Sequence, residues 1–110
     1  MSTSKAYSQY SRRAARFLGK LISASRKEKK MTAQELAERA GISRTTLRKI
    51  ETGDMTCAIG IVFEVAALVG VRLFAPDSGE LFMLEERFED KIALLPKAIR
   101  KFKKEVDDAF

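Results

Sequence analysis

TAQELAERAGISRTTLRKIETG, residues 32–53, decides how this chain folds. Thr32 is a helix N-cap, because its side-chain oxygen can accept from an orphan backbone N–H, and Glu35 three positions later completes a capping box. A helix therefore starts near Ala33. Leu36, Ala37 and Ala40 form its apolar stripe, and Gln34, Glu35, Glu38 and Arg39 point away from that stripe. Gly41 can take a positive φ and ends the helix in a tight turn, with Ile42 tucked into the angle behind it. Ser43 caps a second helix that turns Leu47 and Ile50 inward and leaves Arg44, Thr45, Arg48 and Lys49 outside. Gly53 closes it. Two short helices joined by a Gly-containing turn give the helix-turn-helix geometry that lays the second helix in a DNA major groove.

The flanking segments extend a helical pattern. From Ser8 to Lys29, the residues Ala14, Phe17, Leu18, Leu21, Ile22 and Ser25 recur at helical spacing, with Arg12, Arg13, Arg16 and Lys20 on the outer side. Those cations either extend a DNA contact or only solubilise the helix. The run AIGIVFEVAALV, residues 58–69, is apolar on more than one side, with Ile61, Val62, Val65, Ala66 and Val69 too many for one stripe. Gly70 caps it, and Val71 to Phe74 reads as a short extended piece able to pair across a two-fold axis. Pro76, Asp77 and Gly79 mark a boundary. Beyond it Leu81, Leu84 and Phe88 share one face of an acidic helix, suited to a protein interface or to packing on the preceding helices. Pro96 breaks that helix. Residues 97–110 are basic and then acidic, with Ile99, Phe102 and Val106 at helical spacing, a partner-binding helix or a flexible tail.

Composition agrees with this plan. A chain of 110 residues with 45% hydrophobic content has room for one modest core. Its net charge of +6 is unevenly placed: Lys and Arg outnumber Asp and Glu by 13 to 5 in residues 1–57, whereas residues 58–90 have 2 against 7. A basic first half suits a phosphate-facing surface, and an acidic middle suits a protein-facing one. With no His and one Cys, the chain lacks the parts for zinc or Cys/His chemistry, so no enzyme activity, metal or cofactor is expected. Cys57 reads as a small, half-buried packing residue. No apolar run approaches the ~20 residues of a membrane span, and residues 1–11 lack a signal-peptide core, so a cytoplasmic, nucleoid-associated protein is expected.

Thr32, Glu35, Leu36, Ala37, Gly41, Ile42, Ser43, Leu47, Ile50, Glu51 and Gly53 together resemble the core pattern of the phage repressor and Cro family, the XRE-like helix-turn-helix regulators. The resemblance implies an all-α, five-helix lambda-repressor-like domain over residues 8–75. It leaves 1–7 as a flexible N-terminus and 76–110 as a C-terminal helical extension for dimer or partner contact. It also implies that Arg26, in the first helix, pairs with Glu51 at the end of the recognition helix. The chain departs from the family at Ala33, where the family has a phosphate-contacting Gln, and Gln34 is expected to take over part of that role.

Recognition-helix geometry assigns Arg44, Thr45 and Lys49 to base edges, with Arg44 the best reader of guanine. Thr32, Gln34, Ser43, Thr46 and Arg48 are assigned to phosphates. A homodimer would set two recognition helices about 34 Å apart, on a palindromic operator. More narrowly, residues 42–74 and the tail LLPKAIRKFKKEVDDAF resemble HipB-like antitoxins, which implies an autoregulating repressor with a HipA-type kinase toxin as partner. Two alternatives stay open: a stand-alone phage or stress repressor, and a protein-interaction module with a vestigial helix-turn-helix.

Overall fold

The computed structural model describes residues 6–99, to which every structural statement below refers. Five α-helices follow in order: α1 (Gln9–Glu28), α2 (Ala33–Ala40), α3 (Arg44–Glu51), α4 (Ile59–Leu68) and α5 (Ser78–Ala93). The all-helical architecture of five helices is the one the sequence implies, with α1–α4 inside residues 8–75 and α5 beyond them. The chain divides after Leu73 into two compact units, the first holding α1–α4 and the second α5.

In the first unit each helix contributes a narrow stripe to one core. Ile22 of α1, Leu36 and Ala37 of α2, Leu47 and Ile50 of α3, and Val65 and Ala66 of α4 are buried together with Val69. Eight buried apolar residues make a small core, so the backbone ends of the helices must be well satisfied for the unit to hold. Four successive helices end in the same device, a Schellman turn. The amide of Met31 donates to the Arg26 carbonyl, Ile42 to Ala37, Asp54 to Lys49 and Val71 to Ala66. Gly41, Gly53 and Gly70 take the positive φ at three of these turns, and Lys30, with φ 56°, takes it at the fourth. Helix α2 packs on α4 and on α3, and α3 packs on α1.

Several expectations change. Helix α1 buries Ile22 and Gly19 and half-buries Leu18, but Phe17 stands 62% exposed and Leu21 is exposed as well. The helix rotates to bring Gly19 against α3, which swings that edge of the apolar pattern into solvent. Val71 to Phe74 forms no strand: Val71 closes the Schellman turn of α4 and packs on the core, and bends follow. Ala33 is half-buried against the core, so its small side chain serves packing. Helix α4 buries Val65 and Ala66, half-buries Ile61 and Val62, and leaves Ile59 73% exposed.

In the second unit the side chain of Asp77 accepts from the Glu80 amide at 2.8 Å and starts α5 one residue ahead of Gly79. The expected turn at Gly79 is thus the first turn of a helix. No residue of α5 is buried, and Leu81, Phe82, Met83, Leu84, Phe88 and Ile92 are all exposed. The expected flexible segment 1–7, apart from Ala6 and Tyr7, and the tail from 100 onward lie outside the described residues.

Candidate nucleic-acid interface

Helix α2 is set by its capping box. The Glu35 amide donates to Thr32 Oγ1 at 3.0 Å, and the Thr32 amide donates to Glu35 Oε1 at 2.8 Å. These bonds favour the ionised carboxylate and hold the Glu35 pKa below the ordinary carboxylate range, the Thr32 amide contributing most. Gly41, at φ 71°, then reverses the chain, and Ser43 starts α3 by accepting from the Thr46 amide at 3.0 Å. Ser43 Oγ also donates to Thr46 Oγ1 at 3.0 Å.

Helix α3 is a short amphipathic rod, and the buried Leu47 and Ile50 fix its rotation. That rotation turns Arg44, Thr45, Arg48 and Lys49 to solvent on one arc. Three of the four are cationic or potential guanidinium and ammonium donors, and Thr45 adds a hydroxyl at the middle of the arc. Helix α3 closes where Thr52 Oγ1 donates to the carbonyls of Arg48 and Lys49, at 2.9 and 3.1 Å.

The position of α3 on its scaffold is held by a bidentate ion pair. Arg26 Nε donates to Glu51 Oε2 at 2.9 Å and Nη2 donates to Oε1 at 3.1 Å. Arg26 Nη1 also donates to the Met31 carbonyl at 3.0 Å. One guanidinium thus ties together α1, the entry to α2 and the end of α3. The two side chains are only 12% and 13% exposed. The hydrogen bonds that Arg26 donates to Glu51 raise the Arg26 pKa against the opposing effect of burial.

The remaining assigned residues divide by what already engages them. Gln34 is exposed, and its Nε2 donates to Glu38 Oε2 at 2.8 Å, so its amide group is turned along α2. Thr32 and Ser43 serve as caps through their side chains, and Thr46 is half-buried. Arg44, Thr45, Arg48 and Lys49 lie together, whereas Thr32 and Gln34 sit at the start of α2.

Sequence reasoning brought Arg26 of α1 to Glu51 but missed the two glycines at which α1 and the end of α3 meet. A Cβ on Gly19 would stand 2.5 Å from the Glu51 carbonyl oxygen and 2.7 Å from that of Ile50. A Cβ on Gly53 would meet Arg16 Cγ at 2.7 Å and Arg16 Cα at 2.8 Å. A lone Gly inside an otherwise helical run was the available signal. The loop after α3 is braced by Asp54, whose Oδ1 accepts from the Thr56 hydroxyl at 2.5 Å and its amide at 2.7 Å, and these bonds lower its pKa. Cys57 packs half-buried on the core, and burial, reinforced by Asp54, raises its thiol pKa. A small cavity of about 210 Å³ lies nearby between Ala15, Leu18, Ile50, Asp54, Met55 and Val62. Among the described residues no His, Cys, Asp and Glu cluster able to hold a metal occurs, and no helix is long and apolar enough to cross a membrane.

A short capped helix, a left-handed Gly turn and a second helix with a solvent-facing cationic arc define a helix-turn-helix unit. In agreement, residues 22–74 match a protein-family model described as helix-turn-helix, and the all-α, five-helix architecture is consistent with a lambda-repressor-like fold. The chain is also similar to the immunity repressor protein of Bacillus phage phi105, at 35% identity over 72 residues. That alignment covers 66% of this chain and 50% of the phage protein, so the chain spans about half the length of that relative. No solved structure matches the chain significantly.

Proposed function

We propose that the chain is a sequence-specific DNA-binding transcriptional repressor that reads a palindromic operator as a homodimer. The observation that carries the reading is the exposed cationic arc of α3, and on this reading Arg44, Thr45 and Lys49 reach base edges and Arg48 holds a phosphate. The arc is presented on a helix whose end is clamped by the Arg26–Glu51 pair. A reading surface must keep its angle to the groove, and a bidentate pair at the helix end restricts that angle. Thr32, Gln34, Ser43 and Thr46 sit at or near helix starts, where backbone amides favour anions. The similarity to a phage immunity repressor supports repression as the outcome of binding.

The test is selection of a preferred duplex from a random library, followed by affinity measurements on that duplex and on an unrelated one. Arg44→Ala is expected to cost about 1–3 kcal/mol of discrimination at one base pair of each half-site. Equal loss on both duplexes would make Arg44 a phosphate contact, and absence of any selected sequence would overturn sequence-specific reading.

The setting of the repressor has two readings. A stand-alone repressor agrees with the phage relative. An antitoxin that also binds a HipA-type kinase toxin rests on the resemblance of residues 42–74 and of the tail, and the exposed apolar side chains of α5 offer such a partner a surface. Co-purification of the chain from its own cells with a kinase would decide for the antitoxin, and its recovery with itself and DNA alone would decide for the stand-alone repressor.

A further inference from the structure

Helix α1 has more charge than its packing requires, and that charge is confined to one flank. No Asp or Glu precedes Glu28 in the chain, whereas Arg12, Arg13, Arg16, Lys20 and Lys27 all lie on α1 and are all exposed. At 100° per residue these five fall within an arc of about 100°. The same arc borders Gly19, which touches the carbonyls of Ile50 and Glu51, and it contains Arg16, which lies against Gly53. The basic ridge therefore runs beside the C-terminal end of α3. The exposed arc beyond it has Tyr10, Ala14, Phe17 and Leu21 and no cation, its one charge being Glu28 at the last residue of the helix. Charge that served solubility alone would belong over that uncovered apolar arc. It lies next to α3 instead.

We infer that this ridge is a second DNA contact, which holds the sugar–phosphate backbone outside the groove that α3 enters. The inference rests on the DNA-binding reading above and extends it to a surface beyond the helix-turn-helix pair. From Arg12 to Lys27 the ridge spans about 22 Å, the axial length of about six base pairs. No described residue holds Arg13, Lys20 or Lys27 in an ion pair, so their charges are available to phosphates. Arg12 Nε donates to the Tyr7 carbonyl at 3.3 Å and Arg16 packs on Gly53, so these two also have structural contacts.

The test compares the full chain with a triple variant, Arg13→Gln, Lys20→Gln and Lys27→Gln, on a 40-base-pair duplex of arbitrary sequence across a salt series. Each lost phosphate contact lowers the slope of log K against log salt by about 0.9, so the triple variant is expected to lose about 2 to 3 from the wild-type slope. A charge-conserving triple, Arg13→Lys, Lys20→Arg and Lys27→Arg, is expected to retain the slope, and matching melting curves show that both variants are folded. A wild-type slope in the Gln triple overturns the ridge and leaves the recognition helix as the DNA-binding element. An equal fall per charge on neutralising Arg87 and Lys91 of α5 also overturns it, by reducing the effect to net charge. Failure of the wild-type chain to bind any duplex removes the DNA-binding reading itself, and the ridge with it.

Discussion

Gly19 of α1 lies directly against the carbonyl oxygen of Glu51, the last residue of α3, and the space a Cβ would need there is taken up by backbone. The contact explains a glycine in the middle of a 20-residue helix, where helix propensity alone would favour Ala by about 1 kcal/mol. Neither the Glu51 nor the Ile50 carbonyl can swing aside, since both belong to the helix end that Arg26 clamps. Gly19→Ala is expected to destabilise the domain by about 1–3 kcal/mol in urea unfolding, the usual cost of overpacking. Equal or greater stability would show that α1 and α3 can separate without loss.

The Arg26–Glu51 pair makes a separate contribution. Loss of one partner leaves a nearly buried charge with no counter-ion, and Arg26 also supplies the donor for the Met31 carbonyl. Arg26→Ala is expected to cost about 3–5 kcal/mol. Arg26→Lys keeps the charge and loses the fork, so it should fall between Ala and wild type. The double variant Arg26→Gln/Glu51→Gln should cost less than the two single changes added together, because neither charge is left alone. Additive costs would mean that the two side chains act independently.

How much of this was legible in the sequence depends on the range of the interaction. The caps at Thr32 and Ser43, the Gly41 turn and the inward Leu36, Leu47 and Ile50 are local, set by a few neighbouring residues, and they are readable from 32–53 alone. The outward arc of α3 follows from the same periodicity. The rotation of α1 is different, because it is decided by the fit of Gly19 against a helix some 30 residues away, and periodicity placed Phe17 and Leu21 on the packed side. The Schellman turn that converts Val71 from strand to cap depends on Gly70 and on the Ala66 carbonyl. Lys30 at a left-handed position has no sequence signature, since its neighbours alone would favour ordinary helix.

The capping box of α2 gives the domain a defined acid response. Hydrogen bonds from Thr32 lower the folded-state pKa of Glu35, so the folded chain binds this proton less readily than the unfolded chain does. The stabilisation is therefore complete above the ordinary carboxylate value and is lost as the pH falls through the lowered folded value. Asp54, lowered by Thr56, acts in the same direction. Glu35→Gln is expected to lower the melting temperature at pH 7, with the gap from wild type narrowing below about pH 4. A gap that stays constant down to pH 2 would show that the carboxylate charge contributes nothing to the cap.

Lys30 offers the reverse case, a site where the wild-type residue is not the most stable one. Its φ of 56° places a Cβ in the left-handed region, which costs an ordinary L-residue about 1–2 kcal/mol. The other three Schellman turns of the domain use Gly at the same position. Gly relieves that strain and gives back about 0.5–1 kcal/mol through the greater freedom of the unfolded chain. Lys30→Gly is thus expected to gain about 0.5–1 kcal/mol in urea unfolding, and Lys30→Asn a smaller part of that, since Asn enters the left-handed region more readily than Lys. The exposed ammonium has no described ion-pair partner, so its removal subtracts little from the folded state. Lower stability for Lys30→Gly would mean that the lysine side chain itself holds the junction of α1 and α2 together.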